Sequence, residues 1–221
     1  MKPIAYIENN YISKFGIPRQ GGIINNEKSR LIFEKEYSLR EAFRGLEEFN
    51  YIWLIWEFSL CKGKEWSPTV RPPRLGGNKR VGVFATRSPY RPNPIGLTSA
   101  KLEKIEFINS RAVLTLSGCD LMNGTPVYDI KPYLNYADIH NDSTNGFALT
   151  DKGEILQVNI PQDIADKLSE NDLSVIKQLL AQDPRPQYQN DNRAYGLSFG
   201  RYNIKFTVKD NILNVTEIET E

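Results

Sequence analysis

Apolar positions along the first half of this chain come in short runs broken by polar turns. Residues 3–7, 81–85, 97–107, 112–116 and 126–133 each have the β-branched and aromatic content of a strand. Residues 51–58, Tyr-Ile-Trp-Leu-Ile-Trp-Glu-Phe, are continuously apolar up to Glu57 and predict a strand buried on both faces. One segment has the helical period instead. Leu39, Ala42, Phe43, Leu46 and Phe49 share a face, and Ser38 with Glu41 makes a capping box, so a helix is expected over 38–49. Ile108-Asn109-Ser110 reads as a hairpin turn and Asn123-Gly124 as a second tight turn. Several strands with one helix and no βαβ alternation predict a mainly β fold, an antiparallel β-barrel or curled sheet and not a Rossmann sheet.

The pattern changes after residue 135. A polar stretch ends the first domain, and a strand over 155–160 precedes helical stretches at 162–168 and 172–181. Leu173, Ile176, Leu179 and Leu180 share a face in the latter. Strands over 195–209 and 212–218, around Asp210-Asn211, close the chain. The expected organisation is a barrel domain at 1–138, a linker at 139–151 and a small α+β domain at 152–221.

Composition narrows the chemistry. With 40% apolar and 25% charged residues over 221 positions, the chain is ordinary globular protein. No apolar run reaches the roughly 20 residues that span a bilayer, and residues 1–6 lack a secretory leader, so a cytoplasmic protein is expected. The single histidine, His140, lies in a polar segment, which argues against a His-rich zinc site or a Ser-His-Asp triad. Cys61 and Cys119 have no metal-ligand spacing and are expected as free thiols; no metal is expected. The net charge of +1 excludes a bulk nucleic-acid coat but leaves room for a local basic patch.

Such a patch lies in the loops. Residues 81–99 carry Arg87 and Arg91 among Pro89, Pro92 and Pro94. Proline restricts its own φ and its predecessor's, so the segment is expected to be stiff and largely extended. A stiff loop either shields a sheet edge or binds a ligand with little ordering cost. Residues 66–80 add Arg71, Arg74, Lys79 and Arg80 and run directly into that loop. Arginine forks pair with carboxylate or phosphate, which points to an anionic ligand. No Walker loop or dinucleotide fingerprint is present. Residues 14–22, with Pro18, Arg19 and Gln20, and residues 183–188, Asp-Pro-Arg-Pro-Gln-Tyr, repeat this loop chemistry.

These loops contain long motifs in a telling order. Thr69-Val70-Arg71-Pro72-Pro73-Arg74-Leu75-Gly76-Gly77, then Gly82-Val83-Phe84-Ala85-Thr86-Arg87-Ser88 and Arg91-Pro92-Asn93-Pro94-Ile95-Gly96, resemble the TsaA-like (TrmO) family. So do Asp120 with Gly124-Thr125-Pro126-Val127, Asp129-Ile130-Lys131-Pro132-Tyr133, the run at 183–188 and Tyr195-Gly196. The resemblance implies an S-adenosylmethionine-dependent methyltransferase acting on N6 of threonylcarbamoyladenosine at position 37 of tRNA. It implies a β-barrel cofactor domain, a homodimer and tRNA as partner. Carried over by motif, the cofactor contacts are Pro18, Arg19, Gln20, Arg87, Leu97, Ser117, Gly118, Cys119 and Asp120. Ser59 and Leu60 stand where relatives have a His-Gln pair, so any side-chain hydrogen bond made there is reduced or lost. Arg71, Arg74, Tyr90, Arg91, Arg185, Tyr188, Arg193 and Tyr195 have chemistry suited to tRNA. Asp129 and Tyr128 are the candidates for a general base. A non-catalytic RNA- or metabolite-binding barrel, or a methyltransferase for another acceptor, fits the loops as alternatives.

Overall fold

The computed structural model describes residues 1–18, 20–63, 65–72, 75, 77–147, 156–185 and 193–220. Six strands close an antiparallel barrel. In chain order they are β1 (Ala5–Glu8), β2 (Lys28–Phe33), β3 (Tyr51–Glu57), β6 (Ile95–Ile108), β7 (Arg111–Ser117) and β8 (Pro126–Pro132). They run round the barrel as β1-β2-β7-β6-β3-β8, so β8 returns to β1. A two-stranded ribbon, β4 (Thr69–Val70) and β5 (Val81–Gly82), stands between β3 and β6. Inward residues such as Leu31, Ile52, Leu54, Leu114 and Val127 are buried and fill the barrel.

The β3 strand is not buried on both faces. Its burial alternates, with Ile52, Leu54 and Trp56 inside and Tyr51 and Trp53 more exposed outside. A closed antiparallel barrel has one inner face, and the outer aromatics cover one another: Trp53 lies 5.4 Å from Tyr133 between ring centroids. Continuous hydrophobicity thus concealed an ordinary alternation.

The helix expected over 38–49 is instead two 3-10 turns, Arg40–Phe43 and Leu46–Glu48. Between them Gly45 takes φ +85°, which interrupts any α-helix. Ser38 does not cap: its hydroxyl donates to the Glu34 carbonyl at 2.8 Å. The broken segment lets Phe43 pack edge-on against Phe33 (4.9 Å) and Phe107 (5.6 Å). Core packing outweighs the local helical preference here.

The β6–β7 hairpin turns on Asn109 and Ser110 at φ +49° and +62°, the geometry of a two-residue turn matched to strand twist. In the second domain β9 (Gln157–Asn159), α2 (Gln162–Ala165), α3 (Glu170–Ala181), β10 (Tyr195–Phe199), β11 (Tyr202–Lys209) and β12 (Ile212–Thr220) follow. The sheet order is β10-β11-β12-β9, with β9 parallel to β12. The run expected over 195–209 is thus two strands joined at Gly200-Arg201. The α3 helix is capped by Ser169, whose hydroxyl accepts from the Asp172 amide, and it buries Val175, Ile176, Leu179 and Leu180 against the sheet.

The two domains share more than a linker. Tyr11 and Ile24, from the segment that joins β1 to β2, belong to the core of the second domain. The Gly200 amide donates to the Asn10 carbonyl at 2.8 Å, and Asn26 Nδ2 donates to Ser174 Oγ at 3.1 Å. The first barrel connection is therefore held by the second domain.

Candidate active site

Where β3 ends and β6 begins, a cavity of about 830 Å³ opens. Four segments surround it: residues 14–21, the β3 end with the turn Ser59–Cys61, the loop from Thr86 into Thr98, and Asp120 to Thr125. Its size suits one small organic ligand.

The loop over 83–94 is not extended. Proline and hydroxyl residues fold it into successive turns. Thr86 Oγ1 donates to the Val83 carbonyl (2.8 Å), the Ser88 amide to Thr86 Oγ1 (3.2 Å) and the Arg91 amide to the Pro89 carbonyl (2.9 Å). Arg91 closes the arch from within. Its Nη1 donates to the carbonyls of Val83 (3.2 Å) and Thr86 (2.8 Å), and its guanidinium lies 5.6 Å from the centre of the Phe84 ring. Restricted φ at the prolines favoured stiffness, but the polar side chains chose bends over extension. Arg91→Ala should therefore destabilise the loop by about 1–3 kcal/mol, the cost of leaving carbonyls without a charged donor. Faster amide exchange over 83–94 than in the unsubstituted protein is the expected reading; unchanged protection would refute it.

With Arg91 engaged, Arg87 is, among the described residues, the lining arginine whose guanidinium serves the cavity. Its Nη1 donates to Gln20 Oε1, from the facing segment. Across from it Asp120 accepts from Thr98 Oγ1 at 2.8 Å, and Thr98 Oγ1 accepts from the Trp56 indole N–H at 3.1 Å. Burial raises the Asp120 carboxyl above its ordinary range; the bonds from Thr98 and from the amides of Asp120 and Gly21, with the nearby Arg87 charge, oppose that rise. The cavity thus combines an apolar wall of Trp56, Phe58 and Leu97 with the held guanidinium of Arg87 and the held carboxyl of Asp120.

Pro18, Gln20, Ser59, Leu60, Arg87, Leu97 and Asp120 all line this cavity, as do Tyr90 and Arg91. Ser117, Gly118 and Cys119 lie behind it. Ser117 Oγ donates to Glu103 Oε1 at 2.7 Å, and Glu103, bonded also to Lys28 and Lys101, is held down to about 2. The Gly118 carbonyl accepts from the Gly22 amide at 2.8 Å, tying that turn to the 14–22 loop. Cys119 is buried in the barrel core, where burial pushes its thiol up to about 12. Both cysteines are free thiols.

Tyr128 and Asp129 are not among the lining residues. The Tyr128 hydroxyl donates to Glu57 Oε2 at 2.6 Å, and burial together with that bond pushes it up to about 12, so it stays neutral near pH 7. Asp129 pairs with Lys131 at 3.1 Å and accepts from the Ile130 amide. Arg71 is exposed and outside the cavity. Arg185 forms a two-pronged ion pair with Asp183, both bonds 2.8 Å. Arg193 sits 5.1 Å from the Tyr195 ring centre, and Tyr195 stacks on Phe206 at 5.8 Å. Arg19, Arg74 and Tyr188 lie outside the described residues.

The sequence reading missed Trp56, Thr98 and Lys14, which also line the cavity. Glu57, at the end of β3, lines it too. Tyr128 and Lys62 (3.3 Å) both bond its Oε2, leaving Oε1 without a hydrogen bond among the described residues. The register of β3 against β6 would have found Trp56 and Thr98, since both point inward at adjoining strand ends.

Comparison with known proteins matches this architecture. Residues 6–139 match the tRNA-methyltransferase O N-terminal domain, and residues 153–221 the TrmO C-terminal domain. An Escherichia coli protein named tRNA (adenine(37)-N6)-methyltransferase is 36% identical, over 98% of this chain and 96% of its own length. The crystal structure of TrmO from Pseudomonas aeruginosa superposes with a TM-score of 0.76 at 31% identity, covering 98% of this chain and 97% of that one. A Methanothermobacter thermautotrophicus protein named "Probable S-adenosyl-L-methionine-binding protein" is 33% identical over 139 residues, 63% of this chain and 91% of its own.

Proposed function

This chain belongs to the tRNA-methyltransferase O (TrmO) family, and from that premise we propose that it methylates N6 of threonylcarbamoyladenosine at position 37 of tRNA, with S-adenosylmethionine as methyl donor. The observation that carries this is that Arg87, held by Gln20, and Asp120, held by Thr98, line one apolar-walled cavity of the barrel domain. S-adenosylmethionine brings an α-carboxylate, an ammonium, ribose hydroxyls, an adenine and a sulfonium. Those groups match the residues present. Arg87 suits the carboxylate, Asp120 a cationic or donating group, and Trp56, Phe58 and Leu97 the flat and apolar portions.

Bound there, the cofactor supplies a methyl group already activated on a sulfonium. The protein then contributes mainly alignment, with nucleophile and methyl at roughly 3–3.5 Å. The acceptor nitrogen is urea-like and gives up a proton on transfer. Of the cavity's carboxylates, Glu57 suits that proton at its unbonded Oε1, because Tyr128 and Lys62 pin Oε2 and so orient the group. Tyr90, 45% exposed at the mouth, offers a stacking face for a base in an anticodon loop, and Lys14 at the same mouth offers a cation. Exposed Arg71 offers a further cation for tRNA phosphates.

The reading includes a homodimer. Leu60 and Leu97 line the cavity yet are largely exposed, apolar surface that a second copy would cover. It also includes the cytoplasm, where tRNA is modified; among the described residues no helix is long and apolar enough to cross a membrane.

Incubation with labelled S-adenosylmethionine and tRNA carrying threonylcarbamoyladenosine, followed by mass spectrometry of the nucleosides, tests the activity. A methylated threonylcarbamoyladenosine is expected, and binding without transfer would refute the assignment. In the same protein Arg87→Ala should weaken the cofactor about tenfold or more by calorimetry, the loss of a charged hydrogen bond worth about 1.5–3 kcal/mol. Unchanged affinity would remove Arg87 from the site.

A further inference from the structure

We propose that Thr98 is a positioning residue which, together with Trp56, fixes the Asp120 carboxylate as a hydrogen-bond acceptor toward a cationic or donating group of the cofactor. This rests on the reading of the cavity as the S-adenosylmethionine site.

The direction of the relay follows from donor chemistry. An indole nitrogen can only donate, so the 3.1 Å contact is Trp56 N–H to Thr98 oxygen. A threonine hydroxyl has one proton. With an oxygen lone pair occupied by Trp56, that proton goes to Asp120 Oδ1 at 2.8 Å. Oδ1 must then accept. The chain of bonds therefore opposes placing a proton on that oxygen and fixes the carboxyl rotamer. Trp56 and Thr98 are 7% and 5% exposed, so water does not compete effectively for either bond.

The relay has work to do, because burial pushes Asp120 toward its neutral form. Of the other groups near Asp120, the Arg87 charge opposes the rise. Cys119, pushed up to about 12, and Tyr11, pushed above the usual phenol range, both by burial, stay neutral. Glu57 lines the same cavity but has its carboxylate turned to Tyr128 and Lys62. Gly21 and Asp120 contribute backbone amides, which are fixed donors.

If the anion is the binding form, affinity falls as pH drops through the Asp120 pKa. Removing the Thr98 hydroxyl raises that pKa and moves the fall to higher pH. Calorimetric titration of S-adenosylmethionine between about pH 5 and 8 into the full chain, Thr98→Val and Thr98→Ser measures this. Titration of the ligand's own groups is common to all three proteins and cancels in the comparison. Thr98→Val should shift the midpoint upward by about one unit, giving about tenfold weaker binding at the acid end and near-equal binding at the alkaline end. Thr98→Ser should follow the unsubstituted protein. A Val profile that superimposes on the unsubstituted one overturns the relay. So does a pH-independent loss that Ser fails to rescue, which would mark Thr98 as merely structural. Failure of the unsubstituted protein to bind the cofactor at any pH overturns the site reading itself, and the relay with it.

Discussion

Gly96→Ala is expected to unseat Trp56 and, through it, the cavity floor. A β-carbon at residue 96 would stand 2.2 Å from Trp56 Cε2, 2.4 Å from Cζ2 and 2.7 Å from Cδ2. The Gly96 backbone is not in the left-handed region, so alanine is acceptable to the strand; the whole penalty comes from the ring. The indole cannot slide away freely. It is 7% exposed and packs 4.3 Å from the Phe58 ring centre. Overpacking of this kind costs about 1–3 kcal/mol, which lowers Tm by about 2–4 °C per kcal/mol in a chain of this size. Displacing the ring also breaks its bond to Thr98, so cofactor affinity should fall toward acid pH, by up to about tenfold, the loss of one buried hydrogen bond. Gly82→Ala, where an added β-carbon meets nothing within 4 Å, is the control expected to change neither. Calorimetry and a thermal melt decide it. A Gly96→Ala protein that melts and binds like the control would show that Trp56 is not held against Gly96.

The same few residues explain what could be read from sequence. Five of the six barrel strands were legible because β-branched runs and turn pairs such as Asn109-Ser110 report local geometry directly. The β2 strand (Lys28–Phe33), which opens on the polar run Lys28-Ser29-Arg30, was not expected, and of the strand expected over 81–85 only Val81–Gly82 forms. Arg87 and Asp120 were legible through motifs, which record chemistry without coordinates. The errors at 38–49 and 83–94 have different causes. The expected helix at 38–49 was dictated by period and capping pattern, yet Phe43 is drawn to Phe33 and Phe107, residues distant in sequence. The expected extended loop at 83–94 was dictated by proline, yet Arg91 ties it into an arch through carbonyls of its own segment. Thr98 was invisible for a further reason. Its role exists only because the β3–β6 register sets it beside Trp56, and register is not written in either strand alone.

The second domain should matter to the cofactor although none of its described residues lines the cavity. Gly16→Ala tests that coupling with the next largest effect. A β-carbon at residue 16 would lie 2.8 Å from the Ser198 carbonyl oxygen on β10 and 3.8 Å from Leu197 Cγ. A backbone oxygen in a sheet cannot rotate aside, so the turn Lys14–Gly16 must lift off the second domain. That turn is bounded by Tyr11 and Ile24, both anchored in the second domain's core, and is continuous with Gln20 and Gly21. Gln20 holds Arg87, and the Gly21 amide supports the Asp120 carboxylate. Lifting the turn thus disturbs both charged groups of the site from the far side of a domain interface. The expected result is a destabilisation of about 1–3 kcal/mol with cofactor affinity weakened several-fold. Gly196→Ala is its control: it lies on the same strand, and its added β-carbon meets nothing within 4 Å. Gly16→Ala binding S-adenosylmethionine as tightly as Gly196→Ala would mean the two domains are joined without being coupled. The expected difference would instead show that the second domain supports the cofactor wall from behind, through the 14–21 segment that carries Gln20 and Gly21.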